Sequence, residues 1–139
     1  MSVHATFSSL NLALDKYGTK TVPELQRGRL LAIGFTAAKS LTELTPVDTG
    51  RAKGNWQFTV DKPANGEVER FDKTPEGTAG PVLQTELLLG LKDWKPGQWV
   101  WFHNGVPYIE TLNDGGEGRT PHLMLERTVE LLKRWKVAT

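Results

Sequence analysis

Residues 45–56 read TPVDTGRAKGNW. The triplet Asp48-Thr49-Gly50 is the one that carries the catalytic aspartate of aspartic proteases, and a chain of 139 residues has the size of a protease built from two identical copies. The alternative is turn chemistry: Asp48 or Thr49 accepts a backbone N–H two or three residues on, and Gly50 supplies backbone freedom. What lies on each side decides between them, and with them the fold.

Upstream, Thr21 is placed to cap a helix and Pro23 falls in its first turn, where a missing N–H costs little. Leu30, Ile33, Ala37, Leu41 and Leu44 follow at steps of three and four, and Leu31, Phe35 and Ala38 widen the stripe. Glu24, Arg27, Lys39 and Glu43 fall on the other side. This is an amphipathic helix that Pro46 ends. Gly28 and Gly34 weaken it by about 1 kcal/mol each relative to Ala, and they fit close packing as well as a tolerated defect. Downstream, Trp56-Gln57-Phe58-Thr59-Val60 alternates with period two, a strand with Trp56, Phe58 and Val60 on one face. A protease triplet instead follows an apolar strand in an all-β domain, where two carboxylates share a proton. Here a helix precedes Asp48, Arg51 follows the triplet, and no later strand suits the supporting role. Asp48, Thr49 and Gly50 therefore read as a structural motif joining helix to strand, and no catalytic residue is assigned.

Farther on, residues 61–81 contain Pro63, Pro75 and Pro81 and predict a long exposed loop, with room for a short strand at 67–71. Residues 85–91 form a short apolar run of helical character. Residues 98–102 predict a strand with aromatics on both faces, and Asn104-Gly105 a turn. Residues 107–112 suit one helical turn, and 113–118 a flexible loop. Thr120-Pro121 reads as cap and first residue of a final helix, with Met124, Leu125, Val129, Leu131, Leu132 and Trp135 as its apolar face and Lys133, Arg134 and Lys136 suiting the negative end of its dipole. Residues 6–17, with Phe7, Leu10, Leu12 and Leu14, suit a short helix or an arm. The expectation is a single α+β domain over residues 1–139: a small antiparallel sheet, strands 56–60 and 98–102, packed by a long N-terminal helix and a C-terminal helix, with a flexible arm at 1–20 and a long loop at 61–81. Leu30, Ile33, Phe35, Ala37, Leu41, Trp56, Val129 and Leu132 are the expected core.

Composition narrows the functions. Seventeen basic residues against 16 acidic ones give a net charge of +1, which favours neither nucleic acid nor membrane surfaces. Lack of cysteine excludes disulfides and thiolate metal sites. The start lacks the features of a secretory signal and no run reaches the ~18 apolar residues of a membrane span, so a soluble protein made inside the cell is expected. His4, His103 and His122 are scattered, without metal spacing, and His103 beside Asn104 reads as a turn residue. Gly115 to Gly118 is not a phosphate loop. No cofactor is expected. Trp99 and Trp101 near Lys92 and Lys95 could stack single-stranded nucleic acid, but alternating aromatics in a strand more simply pack a core and a contact face.

Thr45-Pro46-Val47-Asp48-Thr49-Gly50-Arg51-Ala52-Lys53-Gly54-Asn55-Trp56 resembles a segment, Pro-Val-Asp-Thr-Gly, basic, any, basic, any, any, Trp, of small structural proteins of tailed bacteriophages, the neck and tail-completion family of minor tail components. In that family a long helix precedes the motif and a strand follows it. A looser second block, an aromatic strand, a Tyr and Glu segment, a Gly-rich loop, a proline and a last helix, corresponds to Trp101 to Gly115 with Tyr108 and Glu110, then Thr120-Pro121. This chain has Glu110-Thr-Leu-Asn-Asp-Gly115 where many relatives have a shorter Glu-aromatic-Gly. The two blocks span roughly residues 21–135. The resemblance implies a virion protein, made in the host cytoplasm, that forms a ring of six copies at the head–tail junction or tail top. Its partners would be itself and other neck and tail proteins (connector, tail tube or terminator). Arg51, Lys53 and Trp99 are the candidate assembly contacts. The loops at 61–81 and 113–119, poor in apolar residues, are expected to order against neighbours.

Overall fold

The computed structural model describes residues 22–47, 50–73, 77–116 and 118–134. The expected arm at 1–20, the Thr21 cap, Asp48, Thr49, Pro75, Trp135 and Lys136 lie outside the described residues. Helix α1 spans Val22–Leu44, α2 Arg51–Gly54, α3 Ala79–Leu91, α4 Ile109–Asp114 and α5 Met124–Lys133. Strand β1, Trp56–Val60, pairs antiparallel with β2, Val100–Asn104, from Trp56 opposite Asn104 to Val60 opposite Val100. The class is α+β.

Two layers share one core. In the first, α1 and α3 run antiparallel: a Cβ on Gly34 would overlap Leu87, and one on Gly80 would meet Thr42 Oγ1 at 3.2 Å. Gly34 is thus the glycine of α1 that close packing requires. In the second layer, β1 lies on α3, and α5 lies on α1 through the Ser40 and Thr128 hydroxyls, 2.7 Å apart. Leu30, Ile33, Ala37, Ala38 and Leu41 of α1 meet Leu83, Leu87 and Leu91 of α3, Trp56, Phe58 and Val100 of the sheet, and Met124 and Leu132 of α5. Phe35 and Val129, expected in the core, are half-buried against it. Thr45, just past the end of α1, ties the layers together. Its hydroxyl bonds Leu41 O at 2.6 Å and accepts Trp56 Nε1 at 2.8 Å.

Several boundaries differ from the sequence reading. Helix α3 starts at Ala79, so residues 79–81 belong to it; Pro81 fits because the first-turn amides have no intrahelical acceptor. The buried Asp72 carboxylate accepts the Ala79 N–H at 2.8 Å in place of the Thr78 side chain. Strand β2 begins two residues late because Gln98 is held in the preceding turn: Trp94 Nε1 donates to its backbone oxygen and Lys95 N to its Oε1. Asn104-Gly105 turns no hairpin. Asn104 is the last residue of β2, its amide donates to Ala52 O at 2.8 Å, and its Oδ1 accepts Val106 N. His103 is a strand residue opposite Gln57, not a turn residue.

The last helix starts at Met124, not at Thr120-Pro121. Residues 122 and 123 are bonded to the end of α4, His122 N to Leu112 O and Leu123 N to Asn113 O, each 3.0 Å. Leu123 takes a φ of +50° at the turn into α5. The buried Asn113 side chain then caps the helix from outside, its Oδ1 accepting Leu125 N at 3.0 Å and its amide donating to Glu126. The buried stripe of α5 is Met124, Thr128 and Leu132, and Leu131 is exposed.

Candidate functional site

Gly50 opens α2 with a φ of +82°, a conformation that favours glycine. Its oxygen accepts both Gly54 N at 2.9 Å and Asp72 N at 3.0 Å, and a Cβ there would collide with the Asp72 backbone. The turn after the motif is therefore welded to the segment leading into α3. That segment, expected as an exposed loop or short strand that orders against neighbours, instead orders against its own chain by polar contacts from Glu67 to Asp72. Asn55 Oδ1 accepts Val68 N at 2.8 Å. Arg70 donates to Gly54 O and to Trp56 O, and pairs with Glu86, whose other oxygen accepts Phe58 N at 3.2 Å. Arg70 and Glu86 thus cover the open edge of β1, where unpaired backbone groups would otherwise face solvent.

Arg51 projects from α2 into a cleft of about 580 Å³ lined by Pro46, Gly50, Ala52, Phe71, Tyr108, Leu112 and Arg119. Its guanidinium grips Glu67 with two bonds, 2.8 and 2.5 Å, and lies 5.6 Å from the centre of the Tyr108 ring. The bond to Glu67 is the main reason its pKa is raised above the ordinary arginine value. Phe71, an exposed aromatic ring, also lines the cleft. The arrangement offers apolar and aromatic surface beside two arginines, the composition of a binding surface.

The three candidate contacts do not converge. Arg51 lies at the cleft. Lys53 is only 3% exposed and faces a separate cleft with Lys39, Thr42, Glu43, Gly80, Pro81 and Gln84. Within one subunit it is part of the packing between α2, α1 and α3. Trp99 is 41% exposed at the far end of the sheet, beyond the Val60–Val100 pair. Asp48 and Thr49 lie outside the described residues. Glu67, Arg70, Phe71 and Arg119 were not singled out in the sequence. No spacing marks them, because each acts through a residue at least 14 positions away or through the shape of the cleft. Among the described residues no three His, Cys, Asp or Glu side chains are grouped to hold a metal, and no helix is long and apolar enough to cross a membrane.

Comparison with protein families, with curated proteins and with solved structures finds no match for this chain.

Proposed function

We propose that this chain is a structural protein of a tailed-phage virion, a neck or tail-completion component that forms a ring, of six copies by analogy, at the head–tail junction or tail top. One observation carries the reading: the two blocks of the resemblance meet in space. Arg51 of the first lies over Tyr108 of the second, and Asn104 bonds Ala52. A long helix enters the motif and a strand leaves it, in the order the resemblance implies. The cleft so formed is a docking surface for a neighbouring subunit or neck protein, and Asp48 serves the turn and not catalysis. Locating the chain by cryo-electron microscopy in purified particles of the phage that encodes it tests the reading. A ring at the neck or tail top is the expected result. Absence of the chain from complete particles overturns it, as does peptidase activity of the purified protein that Asp48→Asn abolishes.

A further inference from the structure

The cleft at Arg51 holds a second arginine. Arg119 is exposed, lines the cleft, and its guanidinium is bonded to no described residue. Its backbone is nevertheless fixed. Gly115 ends α4 with a φ of +76°, and a Cβ there would meet Arg119 O at 2.7 Å and Pro121 N at 2.6 Å. Arg119 N donates to Gly116 O at 3.2 Å, and His122 N ties the chain to Leu112. Phe71 is held out in the same way. It is 59% exposed, yet Asp72 N is bonded to Gly50 O, and the Arg70 side chain to Gly54 O and Trp56 O. Pro46, Tyr108 and Leu112 supply the remaining apolar lining. An unbonded guanidinium and an exposed ring, both on a fixed backbone, are organised in advance for a ligand, which lowers the ordering cost of binding.

We infer that this cleft takes an acidic segment of a partner protein, in which an aspartate or glutamate stands beside an aromatic or large aliphatic residue. The carboxylate pairs with Arg119, and the apolar side chain lies against Phe71, Leu112 and Pro46. Charge decides the first half. Of the described residues that line the cleft, two are arginines and none is acidic. Arg51 already grips the Glu67 carboxylate and lies over the Tyr108 ring, so it stiffens the wall and leaves Arg119 for the ligand. Size and lining decide the second half. A cleft of about 580 Å³ with mostly apolar walls admits a few side chains of a partner and not a folded domain. A nucleic-acid strand would need a row of cations along its phosphates, and the cleft offers one arginine that is not committed to a carboxylate. The inference rests on the docking role proposed above for this cleft.

Nuclear magnetic resonance on the full-length protein tests this with acetyl-Asp-Phe-amide as the probe. At millimolar concentration the probe should shift the Phe71 and Tyr108 ring signals and the Arg119 Nε–H signal. The Asn-Phe analogue, equal in shape and neutral, should bind about threefold or more weakly, the scale of an exposed ion pair. Arg119→Met should abolish that preference, with the urea midpoint unchanged because the side chain is bonded to no described residue. Phe71→Ala gives an independent reading: it should weaken both probes alike and keep the preference for the acid. Equal binding of the two probes to the parent, shifts confined to other surfaces, or an unchanged preference in Arg119→Met would each overturn the inference. So would an oligothymidylate that moves the same signals at lower concentration, which would make the cleft a phosphate site. A chain located at the neck whose cleft ignores the acidic probe overturns this inference alone. A chain absent from complete particles overturns the virion reading, whatever the probe does.

Discussion

Arg51 and Glu67 face each other as fork and carboxylate, bound by hydrogen bonds of 2.8 and 2.5 Å across a separation of 16 residues. The pair lies at the surface, with side chains 38% and 30% exposed, so it holds the segment after β1 in place more than it stabilises the fold. Arg51→Ala should leave the global urea midpoint near that of the parent while speeding hydrogen exchange around Glu67 and Val68. The effect on exchange should shrink as salt screens the parent pair. A large fall in the midpoint with unchanged exchange would show the pair to be structural.

Arg70 covers the edge of β1 together with Glu86. Replacing Arg70 with Met keeps its stem but strands the Trp56 oxygen and releases Glu86 from its partner. Hydrogen bonds to charged groups contribute about 1.5–3 kcal/mol, and a loss of that order is expected in urea denaturation. A cost under about 0.5 kcal/mol, the range of neutral surface changes, would mean that water satisfies the edge equally well.

Asn113 caps a helix to which it does not belong. Asn113→Ala removes the acceptor for Leu125 N and the donor to Glu126, and should cost about 1–2 kcal/mol. Nuclear magnetic resonance should show fraying confined to the first turn of α5. Thr120→Ala should be near neutral, because α5 starts at Met124. The reverse ranking would restore the helix start at Thr120-Pro121.

Leu41 and Leu87 are fully buried between the layers, and Leu89 on the outer side of α3 is 65% exposed. Leu41→Ala and Leu87→Ala should each cost about 2–5 kcal/mol, and Leu89→Ala should fall within about 0.5 kcal/mol. Comparable losses at all three positions in calorimetry would indicate that α3 is covered on both sides.

Local pattern accounts for α1 and β1. The stripe of α1 repeats from Leu30 to Leu44 within a helix of 23 residues, and Pro46 follows its end. The alternation of Trp56 to Val60 has one buried face. These signals arise within a few residues, where helical and extended geometry set which side chains share a side. The pairing of the aromatic segment near 100 with β1 was also legible, since both segments present aromatic and β-branched residues.

What tertiary structure alone decided lies where a residue's partner is distant in sequence. Among the leucines of residues 83–91, Leu83, Leu87 and Leu91 are buried while Leu88 and Leu89 are exposed, and which side of the run is covered depended on two neighbours, α1 and β1, meeting it. Thr120-Pro121 is a good local start for a helix, but the bonds from residues 122 and 123 to α4 hold the chain until Asn113 supplies a cap. Lys53 carries a charge that in isolation belongs in water, yet the geometry of a four-residue helix wedged between α1 and α3 places it inside. Arg51 meets Tyr108 across 57 positions only because Asn104, at the end of β2, is bonded back to α2. Such contacts leave no periodic trace along the chain. Their geometry is set by packing between elements, whereas periodicity records only the conformation of one.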